Sequence, residues 1–254
     1  MRDIETTEIY NVQGFVEEIA PTLGFQRQPI YRGQADLGWE IIPTLLREDV
    51  AQSEFKDWTE LEASLIFRFK QRANRGDFGG HEPETELEWL TVAQHFGLPT
   101  RFTAWSENAL AALYFATEMR DDKTDGVVWR LLPGDRNLTV TQDFEQIPER
   151  PQIYHPKHSS PEFLAQKTCF LSHALPEFDT KPLSFEDHFE NTTEDLVHLC
   201  QIVIPHDAKR GIRQQLTGMG VDSRTLFPGL RGLCDTIKEE IYAHTDSYDW
   251  VFAT

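Results

Sequence analysis

The sequence predicts a single α+β domain in which a mixed, split sheet is flanked by helices. Three observations lead there. Segments with helical and with strand periodicity are interspersed along the chain. No βαβ unit carries a glycine-rich phosphate loop, neither GxGxxG nor GxxxxGK followed by Ser or Thr, which disfavours a Rossmann or P-loop enzyme. Hydrophobic residues make up 39% of the 254, with 17 Phe and 6 Trp, enough for one domain spanning 1–254 with its core at 26–242.

Val12 to Ile19 reads as a short helix ended near Pro21. Arg27 to Tyr31 is a strand, and Gly33 permits a sharp exit. Glu54 to Ala73 is a helix, with Phe55, Trp58, Leu61, Leu65 and Phe69 at helical spacing. Arg75 to Glu84 is a Gly-, Asp- and Pro-rich loop. A second helix runs from Thr85 to His95, and Gly97-Leu98-Pro99 stops it. Thr100 to Trp105 is extended, and Ser106 is expected to cap a helix running through Tyr114 to Met119. Gly126 to Leu132 is a β-branched and aromatic strand. Pro133 to Pro161 reads as an irregular excursion, Phe163 to Leu171 as a strand and Leu175 to Glu194 as an acidic loop. A strand over Leu196–Ile204, a helix over Asp207–Leu216 and a last helix over Leu230–Tyr242 complete the chain.

Composition removes several classes of function. A net charge of −18 repels phosphate backbones, which argues against non-specific nucleic-acid binding and for solubility or a basic partner. Arg32, Arg101 and the stretch Lys209–Arg213 could still form a local basic groove. Cys169, Cys200 and Cys234 are too few and too far apart for a disulfide framework or a cysteine-rich zinc site. His155 and His158 lack the second ligand pair a metal string needs, and HExxH is absent, so no metal is expected. The N-terminus lacks an apolar leader and no run is long enough to span a membrane, so a cytoplasmic protein is expected. The sequons at Asn137 and Asn191 are then chance matches.

Four strings follow one another in a recognisable order. They are Tyr31-Arg-Gly-Gln-Ala-Asp-Leu-Gly-Trp39 with Pro43-Thr-Leu-Leu-Arg47, then Gln94-His-Phe-Gly-Leu-Pro-Thr-Arg101 running through Trp105. Ala165-Gln-Lys-Thr-Cys-Phe170 and Thr225-Leu-Phe-Pro-Gly-Leu-Arg-Gly-Leu233 come after them. Together they resemble the FRG-domain family. Where that family typically has Thr-Arg-Leu-Leu-Asp-Trp, this chain reads Thr100-Arg-Phe-Thr-Ala-Trp105, so Ala104 stands in the place of an acid.

A more distant similarity links the chain to ADP-ribosyltransferases of the Arg-Ser-Glu type. The matching elements are Arg32, Ser106 before a helix, and Gln166 or Glu162 where the acid is expected. This resemblance implies an ADP-ribosyltransferase-like fold, NAD as substrate, and a toxin or anti-phage defence effector, with an antitoxin or defence-system partner and a protein or nucleic-acid target. It assigns catalysis to Arg32, Ser106, Gln166, Glu162 and the changed position Ala104, leaving the chain inactive as written. It assigns cofactor binding to Tyr31, Arg32, Gly33, Gln34, His95, Thr100, Arg101 and Trp105.

Each assignment has a plainer alternative. Arg32 holds a phosphate or ribose with its planar fork, or pairs internally with an acid such as Asp36. Arg101 faces a cleft or forms a buried ion pair. His95 is a general acid or ligand clamp, or a cap whose charged form the helix dipole favours. Ser106 orients the acid or ribose, or is only a cap. Trp105 and Tyr114 stack on a base or belong to the core. A nuclease or phosphohydrolase using His95, Arg101 and an acid at 104, and a non-enzymatic nucleotide- or protein-sensing module, are the rival readings.

Overall fold

A computed structural model describes residues 4–24, 28–47, 55–74, 82–118, 123–133, 151–156, 160–176, 182, 184–187 and 197–244. Among these residues, seven strands form one sheet in the order β1-β7-β4-β2-β3-β6-β5. In chain order they are β1 (Glu5–Glu8), β2 (Ile30–Gln34), β3 (Phe102–Ser106), β4 (Gly126–Pro133), β5 (Gln152–Tyr154), β6 (Thr168–Ser172) and β7 (Val197–Ile204). β1 runs parallel to β7 and every other neighbouring pair is antiparallel, so the sheet is mixed. The expected α+β domain is present.

The helices are α1 (Val12–Ile19), α2 (Trp58–Arg72), α3 (Glu86–His95), α4 (Ala109–Ala116), α5 (Pro161–Gln166), α6 (His206–Gly218), α7 (Ser223–Leu226) and α8 (Leu230–His244). Their ends follow local chemistry. The Asp57 side chain accepts from Glu60 N at 2.7 Å and starts α2. Thr85 and Glu88 form a capping box at α3. Gly97, at φ +87, follows α3 in the left-handed region.

Side-chain alternation gives the sheet two distinct faces. Tyr31 and Val128 point into a cluster with Val12, Phe15, Ile19, Leu113, Ile212 and Leu216, from α1, α4 and α6. Further along that face, Phe102, Phe170 and Tyr154 meet Ile66, Leu90, Ala93 and Phe163, from α2, α3 and α5. The other face carries Ile30, Trp105, Trp129, Leu131 and Leu171 and is covered by Ile41 and Phe185. α4 lies unusually close to the sheet. A Cβ on Gly33 would stand 1.8 Å from the Ala112 carbonyl oxygen, and one on Gly126 2.1 Å from that of Ala116.

Several expectations are corrected. The strand expected over Phe163–Leu171 is split between α5 and β6. Ser160 caps α5 by accepting from Phe163 N at 3.2 Å, Pro161 sits in its first turn, and Lys167 ends it at φ 48. Asn108, not Ser106, caps α4, which stops at Ala116. The strand expected over Arg27–Tyr31 is observed over Ile30–Gln34, with Gln28 and Pro29 outside it, and Arg27 lies outside the described residues. β1 and β5 come from segments whose pattern showed no strand, because both are short and sit at the sheet edges. Met119, Glu54, residues 75–81, both sequons, His158 and most of the two long excursions lie outside the described residues. No helix among the described residues is long and apolar enough to cross a membrane.

Candidate functional site where β2 and β3 part

β2 and β3 are neighbours, yet they share a single register pair, Tyr31 with Ser106. Four strands lie on one side of this junction and three on the other. Arg32 fills the parting: its Nη1 donates to the Ala104 carbonyl at 2.6 Å, a group that a continuing ladder would have bonded to β2. Ala104 itself is exposed although β3 lies inside the sheet, between β2 and β6.

Arg32 is half-buried, with its Nε enclosed and without a hydrogen-bond partner. Among the described residues no carboxylate comes within ion-pair distance of it, and Asp36 instead accepts from Gly38 N at 2.7 Å. Burial, and then the neighbouring charge of Arg47, lower its pKa to about 10, while Glu186 pulls the other way. It therefore remains a cation at neutral pH. Glu186 is occupied, its two oxygens accepting from Ile41 N at 2.8 and 3.1 Å, and burial raises its own pKa. Two residues along the same side of β2, Gln34 accepts from Trp129 Nε1 at 2.7 Å and leaves its buried Nε2 without a partner. The junction thus offers unmatched donors and excess positive charge, which is the chemistry of an anion site.

Arg101 is the opposite case. It is 5% exposed, its Nε donates to Glu62 Oε2 at 2.6 Å, and its backbone N donates to Glu62 Oε1 at 2.8 Å. It faces this internal carboxylate rather than a cleft. Glu62 sits on the buried side of α2 between Trp58 and Ile66, and a charged residue at an apolar helix position was the overlooked signal. Thr100 is buried beside it, donating to Gln94 Oε1 at 2.5 Å. Trp105 packs against Phe185 and donates from Nε1 to Thr103 Oγ1 at 3.0 Å, so it belongs to the core. Gly33 serves the close approach of α4, and Tyr31 fills the core beneath that helix.

Ser106 meets the backbone of Gln166 at the end of β3, whereas Glu162, one turn earlier on α5, meets His95 of α3. Ser106 Oγ donates to the Gln166 carbonyl at 2.6 Å and accepts from Asn108 N at 2.8 Å. Gln166 donates from Nε2 to the Leu226 carbonyl at 3.0 Å, which ties α5 to α7. Glu162 lies 3.5 Å from His95 Nε2. The His95 ring stands edge-on to Phe163, Phe163 edge-on to Phe170, and Phe170 is the register partner of Ala104. Burial lowers the His95 pKa against the pull of Glu162, and Arg231 lowers it further. The helix-dipole expectation of a charged His95 is therefore overturned by desolvation.

The fold and this junction define an α+β protein with the tripeptide Tyr31-Arg32-Gly33 seated where a mixed sheet parts. Residues 27–125 match the FRG domain, and the chain carries an FRG domain over that span. The span runs from three residues before β2 to the residue before β4, and the later strings at Ala165–Phe170 and Thr225–Leu233 lie beyond it. No curated protein and no solved structure matches the chain.

Proposed function

We propose that this chain is an ADP-ribosyltransferase-like protein that takes NAD at the β2–β3 junction and, as written, turns it over poorly. The observation that carries this reading is Arg32, a protonated and partly enclosed guanidinium with an unpaired Nε and no carboxylate partner among the described residues. A buried charge without a partner is costly, and a pyrophosphate or ribose anion would offset that cost. The adjacency of the three motif-bearing strands supports the same reading. Arg32 is on β2, Ser106 ends β3, and Gln166 stands two residues before the start of β6, which pairs with β3 through Ser106 and Thr168.

Cleavage of NAD breaks the bond from C1′ to the nicotinamide nitrogen and leaves positive charge on the ribose. A carboxylate stabilises that charge, and an amide does so weakly. Gln166 supplies an amide already bonded to Leu226, and Ala104 supplies nothing. The resemblance adds the setting of a microbial toxin or defence effector, with a basic antitoxin or target as partner.

The test is calorimetric titration of NAD, ADP-ribose and nicotinamide into the chain and into Arg32→Ala. Binding of NAD and ADP-ribose that Arg32→Ala removes is expected. Absence of any binding by the unchanged chain would sink the proposal.

A second reading, hydrolysis of a phosphate ester or phosphodiester, is favoured by the His95–Glu162 pair. A neutral imidazole held by a carboxylate is a competent general base. Turnover of a phosphodiester substrate that His95→Gln abolishes would favour it over NAD chemistry.

A further inference from the structure

Arg32 and Gln34 stand two residues apart on one side of β2. Each keeps an enclosed nitrogen without a hydrogen-bond partner, Nε of Arg32 and Nε2 of Gln34. Gln34 is 3% exposed, and its amide cannot turn over. Trp129 Nε1 donates to its Oε1 at 2.7 Å, and an indole nitrogen can only donate, so the oxygen stays on Trp129 and the NH2 faces away from it. A donor buried without a partner is costly, and here two are kept on one strand.

Among the described residues, the acceptors that border these donors are taken. The Ala104 carbonyl accepts from Arg32 at 2.6 Å, and Glu186 accepts from Ile41 N at 2.8 Å. Across the parting, Thr103 Oγ1 accepts from Trp105 Nε1 at 3.0 Å. Arg47, whose charge bears on Arg32, is another group that only donates. The side of β2 thus presents N–H groups and positive charge. A ribose hydroxyl both donates and accepts, and a carboxamide brings an NH2 of its own. Phosphate oxygens bring negative charge and accept.

We propose that this side of β2 reads the diphosphate of a nucleotide, with Arg32 and Gln34 both donating to its oxygens. Gln34 is the specificity-determining residue that selects phosphate over ribose and nicotinamide, and Trp129 is the residue that positions it. The inference rests on the reading that places a nucleotide at the β2–β3 junction, and it fixes which part of the nucleotide meets Arg32. Ile41 and Phe185 cover this face and shut both donors from water, where a hydrogen bond to an anion is stronger. Arg32 is only half-buried, so the anion gains access along its guanidinium.

Calorimetric titration of the full chain with inorganic pyrophosphate, ADP, adenosine, nicotinamide riboside and NAD tests the proposal. Pyrophosphate and ADP should bind in competition, and neither adenosine nor nicotinamide riboside should displace pyrophosphate. Gln34→Glu keeps an oxygen for Trp129 and turns the donor into an anion, so pyrophosphate should weaken by at least about tenfold. Gln34→Leu combined with Trp129→Phe removes the amide together with its indole partner and leaves neither unpaired. That double variant should lose pyrophosphate by a similar factor and melt close to the parent. Pyrophosphate held by either folded variant as tightly as by the parent overturns the proposal, and so does its displacement by adenosine. A chain that binds NAD but not pyrophosphate overturns it and leaves the NAD reading standing. A chain that binds pyrophosphate and ADP but not NAD sinks the NAD reading alone, and absence of all binding removes both.

Discussion

Arg32 donates to the carbonyl of Ala104 at 2.6 Å, so the arginine of the family tripeptide touches the residue that stands where the family typically has an acid. Strand β3 thus brings the expected carboxylate position and the unpaired guanidinium to one place, and here only the guanidinium is present.

Replacing Arg32 with Ala should remove binding of NAD and ADP-ribose, a loss of about 2–5 kcal/mol for a desolvated Arg–phosphate contact. The melting temperature should stay within a few degrees, because the lost hydrogen bond is offset by removal of a partly enclosed charge. Calorimetry and thermal melts of the same sample check both statements. Collapse of the fold would assign Arg32 a purely structural role.

Ala104→Asp should produce nicotinamide from NAD where the unchanged chain produces little, and should slow growth of cells expressing it. The Arg32 guanidinium reaches the carbonyl of the same residue, and its positive charge favours the ionised form of an aspartate there. Paired expression of the two versions, with NAD followed over time, is the measurement. Equal NAD and equal growth would show that position 104 is not catalytic.

Glu62→Gln should cost about 3–5 kcal/mol of folding stability, because Arg101 would be left buried without its counter-charge. Urea unfolding gives the value. A substitution that leaves the midpoint unchanged would mean the pair is not what holds α2 to β3.

Gly33→Ala should destabilise by about 1–3 kcal/mol or more, since the new methyl would press on the Ala112 carbonyl and lift α4 from β2. The same unfolding experiment reads it, and near-parental stability would show that α4 can shift without cost.

His95 should make stability depend on pH. Burial holds its folded-state pKa below the ordinary 6.5, so between those two values the unfolded chain binds more protons. Its contribution is full above pH 6.5 and declines as pH falls toward the folded value. Comparing unfolding midpoints across this range in the parent and in His95→Gln should show a shallower slope in the variant. Identical slopes would mean that the ring is not desolvated.

Much of the frame is legible in the residues alone. Helical spacing, the Thr85–Glu88 box and the Gly97-Leu98-Pro99 stop mark α3, and β-branched and aromatic content marks β4, because each signal acts within a few residues. The family strings likewise mark Arg32 and position 104 as noteworthy. What the linear chain left open were choices between partners far apart in sequence. Arg32 and Arg101 are equally basic, and only packing gives Glu62, from α2, to Arg101 while leaving Arg32 on a carbonyl. His95 sits at a helix end that favours its charge, and only the rings and burial contributed by other elements reverse that preference. Local periodicity determines where helices and strands form, whereas desolvation and charge pairing are properties of the folded interior, and those decide which residues remain free to act.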